Sequence, residues 1–248
     1  MDKHAKKRYD TFIVKFSLLL EHGVYLDDVV GSVDCPEMLR AQKWDPLFDV
    51  HMEDKIYVDL IKVFYANIHE YKENELTFKS LVRKKSITIS PDFISNILKI
   101  DRPDIHENFI VFPYSSKEQY LEMATVILGI CIGSVPRENE KSKIAHIDLT
   151  PTFRMLNCIV ACDIHPRGHT AEIVYDITQL LYVIGERGVY IDLPLYIFNH
   201  VLKASKHDSF MYPMNAMGMG TLNKNVGVIL GAKQDKRVKQ PSAVSNCG

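Results

Sequence analysis

The sequence has few of the features that mark secreted or membrane proteins. Its 248 residues include five cysteines, an odd and widely spaced set, and a single tryptophan. Sparse cysteines without a recognisable secretory leader predict reduced thiols and an intracellular location, in the cytoplasm or the nucleus. The longest apolar runs, FIVKFSLLL and TVILGICIG, are too short to cross a bilayer, so we expect no membrane association.

An excess of charge of one sign is also lacking. Thirty basic and 31 acidic residues leave a formal net charge of −1. The chain therefore has no overall field to attract nucleic acid or a membrane surface, and any such binding must use a local basic patch. Hydrophobic residues make up 46% of the chain, a proportion typical of a globular protein with a sizeable core.

Several catalytic signatures are missing. The sequence contains no Asp-Thr-Gly or Asp-Ser-Gly of an aspartic protease, no Cys-x2-Cys-x4-His-x4-Cys zinc knuckle and no phosphate-binding Gly-x4-Gly-Lys-Ser/Thr loop. Its acidic residues fall mostly on predicted helices, whereas a transposase core holds two metal ions with carboxylates beside strands. We therefore expect a protein that is not an enzyme, with no cofactor and no small-molecule substrate.

Helix signals, in contrast, are frequent. Four helix starts combine a capping side-chain oxygen with a proline in the first turn: Asp34-Cys35-Pro36, Ser90-Pro91, Thr150-Pro151 and Asp192-Leu193-Pro194. Apolar residues at helical spacing predict further helices over 55–71, 115–132 and 169–185. The second of these becomes apolar on all sides, which indicates a central helix packed on both faces.

One stretch breaks the helical pattern. In ELTFKSLVRKKSITIS (75–90), apolar and polar residues alternate around a charged turn, which predicts a short β-hairpin. The predicted fold is thus mainly α, a single helical domain with one short β-hairpin insertion. We expect a basic N-terminal tail over 1–8, the helical domain over 9–231 and a disordered C-terminal tail over 232–248. The Met- and Gly-rich stretch before that tail is at most a loose final helix.

An ordered series of segments resembles a known family. LIKVFYANI, VRKKSITISPDFISNILKI and the block from Leu149 to Pro194, preceded by Arg40 and Trp44, resemble the putative plant transposon protein domain of plant retroelement-related reading frames. The resemblance extends from about Arg8 to Leu230. It implies an origin in a mobile element, and it transfers no catalytic residue to this chain.

Two short stretches carry candidate binding chemistry. The first is the hairpin turn, where Arg83, Lys84 and Lys85 form the best local basic patch. Adjacent cations of this kind can contact nucleic-acid phosphates, although a solvated turn has the same composition. Basic clusters near both chain ends offer the same two interpretations.

The second stretch is CIVACDIHPRGH, residues 158–169. Cys158, Cys162, His165 and His169 could surround a zinc ion, but structural zinc sites usually place their cysteines two apart on a tight turn. Small thiols on an apolar helix are otherwise ordinary core residues, and a histidine can cap the following helix or bond a backbone group. Cys162 and His165 lie too close along one helix end to make a convincing nucleophile and base.

We therefore expect a non-enzymatic, transposon-derived structural or interaction module. The alternatives are a nucleic-acid-binding module of a retroelement nucleoprotein complex and, less favoured, a metal-dependent enzyme at Cys158, Cys162, His165 and His169. The partner is unknown, and nucleic acid, another protein and a second copy of this chain remain candidates.

Overall fold

A computed structural model describes residues 3–11, 13, 34–48, 58–104, 109–110, 117–130, 143–165, 171–185 and 189–206. The α-helices in these ranges are Lys3–Thr11 (α1), Cys35–Ala41 (α2), Asp45–Phe48 (α3), Val58–Ala66 (α4), Pro91–Leu98 (α5), Lys117–Leu128 (α6), Pro151–Ile159 (α7), Tyr175–Gly185 (α8) and Leu193–Lys206 (α9). A π-helix, Val160–Ile164, continues α7 directly. The predicted mainly α class is confirmed.

The strands form three small sheets. They span Ile68–Lys72 (β1), Thr77–Val82 (β2), Lys85–Ile89 (β3), Phe109–Ile110 (β4), Ile144–Ala145 (β5), Glu172–Ile173 (β6) and Tyr190–Ile191 (β7). The first three strands make an antiparallel sheet in chain order, β4 pairs with β7 in parallel, and β5 pairs with β6 antiparallel. The described residues thus contain more β structure than the one predicted hairpin. The short strands could not be predicted because two residues are too few to show an alternating pattern.

Three of the four predicted helix starts are capped as expected. The Ser90 hydroxyl accepts a hydrogen bond from the Phe93 amide at 3.0 Å, and Thr150 caps α7 in the same way. The Asp192 carboxylate accepts from the Leu195 amide at 3.0 Å at the start of α9. The fourth start, α2, follows Asp34, whose side chain makes no capping bond.

Two predicted helices are shorter than their periodicity suggests. The helix expected over 55–71 stops at Ala66, and Ile68 instead begins β1, where it pairs with Ser80. The helix expected from residue 169 begins only at Tyr175, after β6 has paired with β5. Pairing with a distant strand overrides the local helical pattern in both places.

The prediction that α6 is buried on both sides is wrong at its last turn. Val126 is 41% exposed, and Ile130 just beyond the helix is 38% exposed. Gly129, in the left-handed conformation with φ of 65°, ends the helix.

The three-stranded sheet rests on the helical core through β2. The Phe78 side chain is fully buried, and its ring lies 5.2 Å from that of Phe198 on α9 and 6.3 Å from that of Phe64 on α4. Helix α9 also packs on α5, while α8 packs on α6. Helix α1 packs on α4, and Arg8 donates to the Ser205 carbonyl.

The predictions for the Met- and Gly-rich segment and for the tail 232–248 lie outside the described residues. In the part of the chain that is described, no helix is both long enough and apolar enough to span a membrane.

Candidate nucleic-acid interface

The turn between β2 and β3 contains only Arg83 and Lys84. Val82 pairs with Lys85, so these two residues make the whole connection. Both have positive φ, 47° at Arg83 and 67° at Lys84, which defines a type I′ turn. This turn matches the twist of the flanking strands but favours Asn and Gly, because a Cβ atom crowds the left-handed backbone.

The two turn residues and the first residue of β3 form the hairpin tip, defined as Arg83, Lys84 and Lys85. All three are exposed to solvent. Within the described part of the chain, neither Arg83 nor Lys84 forms an ion pair with an acidic side chain. Arg83 and Lys84 therefore present two adjacent positive charges to solvent.

Elsewhere on the same sheet, positive charge is matched by acids. The Lys79 ammonium lies 2.7 Å from a Glu70 oxygen, and this hydrogen bond lowers the pKa of the Glu70 carboxyl. Lys72 pairs with Glu75 at 2.9 Å, which raises the pKa of Lys72. Lys79 lies roughly 10–13 Å along the strand from the turn. Since the Debye length is about 8–10 Å near physiological salt, Glu70 compensates little of the charge at the tip.

The inner face of the hairpin anchors the tip to the core. Alternate residues of the two strands point inward and are buried: Phe78, Ser80, Val82, Ile87 and Ile89. The buried Ser80 hydroxyl donates to the Phe64 carbonyl at 2.7 Å, which ties β2 to the end of α4. The cations therefore stand on a braced hairpin rather than on a loose loop.

In the Cys158–His169 stretch, the described side chains face different neighbours. The Cys158 sulfur lies 4.0 Å from Nε2 of His146. His165 instead lies 2.9 Å, through Nδ1, from the Tyr196 hydroxyl on α9. The π-helix between them is closed by a bond from the His165 amide to the Val160 carbonyl at 2.7 Å, five residues back. This wider turn rotates His165 relative to Cys158.

The four-residue zinc hypothesis cannot be followed through the whole stretch. The Cys162 side chain and His169 lie outside the described residues. The described residues contain no group of three or more His, Cys, Asp or Glu side chains that could hold a metal ion. Helix α8 begins at Tyr175, six residues after His169, and the expected role of His169 as a cap or a backbone partner falls outside the described residues.

Sequence reasoning missed His146, whose side chain contacts Cys158, and the Asn157 side chain that contacts the same ring. His146 lies on a 3-10 turn, His146–Asp148, just before α7. Its Nδ1 atom is 2.7 Å from Nδ2 of Asn157, which is fully buried. The available signal was a polar Asn157 at a core position, between Leu156 and Ile159.

Sequence reasoning also missed His200, on α9. Its ring lies 4.7 Å from that of His165 and 4.3 Å from that of Tyr196. Burial, aided by the nearby Lys203 charge and opposed by Asp176, lowers the pKa of His200 to about 4. His200 is therefore neutral at pH 7, and this aromatic cluster is a packing feature between the π-helix and α9.

A family model for the putative plant retrotransposon-related domain matches residues 40–215, more than half of the chain. The chain belongs to this family. The matched range begins in α2 and contains every later element, including the hairpin tip and the Cys158–His169 stretch. Neither a curated protein nor a solved structure matches the chain. The resemblance recognised in the sequence is thus confirmed.

Proposed function

We propose that this retrotransposon-related domain is a non-enzymatic binding module that contacts the phosphates of nucleic acid through the hairpin tip. One observation carries the proposal. Arg83 and Lys84 fill both central positions of a type I′ turn, each with positive φ. The left-handed conformation costs an ordinary residue on the order of 1–2 kcal/mol. Strain of this kind is tolerated most readily where the side chains serve a function.

The shape and charge of the hairpin suit a nucleic-acid backbone. Three exposed cations stand at the end of a braced two-stranded ribbon. Arg83 can donate two parallel hydrogen bonds to one phosphate, while Lys84 and Lys85 act as point charges. Contacts of this type give affinity that depends on salt and carry little sequence information.

The family relationship supports the same role. A module derived from a retroelement nucleoprotein complex would contact nucleic acid. The chain is nearly neutral overall, with a net charge of −1, so a local cationic tip would have to supply the attraction.

A titration tests the proposal. Full-length protein is added to fluorescently labelled single- and double-stranded DNA and RNA at low salt. We expect a Kd on the order of 10⁻⁶ to 10⁻⁴ M, typical of contacts to the backbone. The variant Arg83→Ala/Lys84→Ala/Lys85→Ala should weaken binding by about tenfold or more, because it removes up to three phosphate contacts.

The matched control removes the same number of cations elsewhere. In the variant Lys72→Ala/Lys143→Ala/Lys203→Ala, each lost lysine is one that pairs with a carboxylate. Both triple variants have the same net charge, so a general loss of attraction would weaken them equally. Equal weakening, or no binding by the wild type at low salt, contradicts the proposal. A protein partner, including a second copy of the chain, would then be the function to test.

A further inference from the structure

A thiol, an imidazole and a carboxamide lie in series beside α7, with the Cys158 thiol exposed and the Asn157 carboxamide buried. Cys158 is exposed and takes no part in a disulfide. Its sulfur contacts Nε2 of His146 at 4.0 Å, and Nδ1 of the same ring is 2.7 Å from the Asn157 amide nitrogen. An exposed thiol beside a ring that a third group orients is a place where a directed hydrogen bond can stabilise the thiolate form.

The orientation of the ring determines where its proton lies. The Asn157 side-chain NH₂ group donates to Nδ1, so the neutral imidazole carries its hydrogen on Nε2. That N–H faces the Cys158 sulfur. It can be donated to a thiolate, which is a better acceptor than a thiol, so the contact favours the deprotonated form.

The parts of this site are held in place by the fold. Asn157 is fully buried on α7 and precedes the exposed Cys158, so one helix fixes both side chains. The His146 amide donates to the Ala171 carbonyl at 2.8 Å. Arg154 then braces the 3-10 turn by donating to the Ile147 carbonyl at 2.7 Å. The ring is thus positioned before any reagent arrives.

Among the described residues, charged side chains stand on α7, on the 3-10 turn and on the β5–β6 pair. Arg154 lies one helical turn before Cys158, and its positive charge favours a thiolate. Asp148, on the 3-10 turn, acts in the opposite direction. At the β5–β6 pair, the charge of Glu172 is matched by Lys143.

We propose that Cys158 is a reactive thiol, held ready by His146 and Asn157, that undergoes reversible modification by small disulfides such as glutathione disulfide. This inference does not depend on nucleic-acid binding. The Cys158 thiolate attacks one sulfur of the reagent, so a Cys158–glutathione disulfide forms and the original S–S bond breaks. The departing glutathione thiolate takes up the proton that Cys158 lost to water. One disulfide replaces another, and excess reduced glutathione reverses the step.

Mass spectrometry with peptide mapping tests the proposal on the full-length protein. Glutathione disulfide is added at pH 7, and the adduct on each cysteine is followed over time. Cys158 should react fastest, whereas Cys35, which is fully buried, serves as an unreactive internal reference. In His146→Phe, which keeps a planar ring but has no N–H, the rate at Cys158 should fall by about tenfold, the effect expected when a thiolate loses its nearby donor. An unchanged rate overturns the proposal.

A second measurement uses the wild-type protein alone and so does not depend on how the variant folds. The rate of Cys158 modification is measured from pH 5 to 9 for the folded protein and for the protein unfolded in urea. The half-maximal rate of the folded protein should lie at lower pH than that of the unfolded protein, the direction expected when an N–H donor stabilises the thiolate. Coincident profiles, or a folded profile at higher pH, contradict an activated thiol.

Discussion

The hairpin tip and the Cys158–His169 stretch both place several candidate ligands within a few residues of sequence. At the tip, the cations stay together because a two-residue turn cannot separate them. In the second stretch, Cys158 turns to His146 and His165 turns to Tyr196, because a helix followed by a wider π-turn directs its side chains outward in different directions. Closeness in sequence therefore keeps side chains together in a tight hairpin, but it does not bring Cys158 and His165 to the same neighbours.

The two regions also differ in which buried contacts hold them in place. The tip is the exposed end of a sheet that buries one face against the helices. Its position therefore depends on the inward residues of β2, from Val82 beside the turn to Phe78 at the far end. The partners of Cys158 and His165 come from other elements, so their arrangement depends on how α7 and α9 are placed. Each region can be disturbed separately.

The largest expected effect is loss of the anchor under the hairpin. Phe78→Ala should lower the free energy of unfolding by about 3–5 kcal/mol, because it leaves a cavity between two aromatic rings. Urea denaturation followed by circular dichroism measures this. Thr88→Ala, at an exposed position on β3, should change the stability by less than about 0.5 kcal/mol. Similar losses in both variants would show that the hairpin is not anchored through β2.

The second largest effect is the pH dependence of stability that comes from His200, whose ring contacts those of His165 and Tyr196. The folded protein keeps this ring neutral, with a pKa of about 4, whereas the unfolded chain takes up the proton below the ordinary value of 6.5. Its contribution to stability is complete above pH 6.5 and is lost as the pH falls toward 4. The loss should be about 3 kcal/mol between pH 7 and pH 4.

The test compares wild type with His200→Phe by urea denaturation at several pH values. Carboxylates titrate in both proteins, so the difference between the two curves isolates His200. That difference should be flat above pH 6.5 and should move in favour of the variant at lower pH. A difference independent of pH would show that the ring is not held neutral.

The third effect separates strain from binding at the tip. Replacing Arg83 with Asn and Lys84 with Gly supplies the residues that a type I′ turn favours. The double variant should be more stable by about 1–2 kcal/mol while binding nucleic acid more weakly. Thermal unfolding and the fluorescence titration, run on the same preparation, give both values. A variant that gains stability and keeps its full affinity would contradict the claim that Arg83 and Lys84 are strained because they bind nucleic acid.

The features that sequence predicted well are those determined by neighbouring residues. The caps at Ser90, Thr150 and Asp192 could be predicted because each bond reaches only three residues ahead. The end of α4 at Ala66 could not, because β1 exists only through its pairing with β2.

The candidate sites also differ in whether their residues are adjacent in sequence. The cations of the tip are consecutive in sequence, whereas His146 reaches Asn157 across eleven residues and a change of element. A buried example is Gln42, which donates to the Val189 carbonyl at 2.8 Å and accepts from the Ile191 amide at 3.0 Å. Nothing near Gln42 in the sequence indicates that it bonds β7, since the contact depends on the whole fold.

The central claim, that the hairpin tip contacts phosphates, is tested most directly by the salt dependence of binding to duplex DNA. The slope of log K against log salt reports how many phosphates the protein neutralises. Replacing Arg83, Lys84 and Lys85 with Ala should make this negative slope shallower by about 2.7, which is about 0.9 for each lost contact. The matched control variant should change the slope by less than about 1. Equal slopes for the wild type and the tip variant would contradict the proposal.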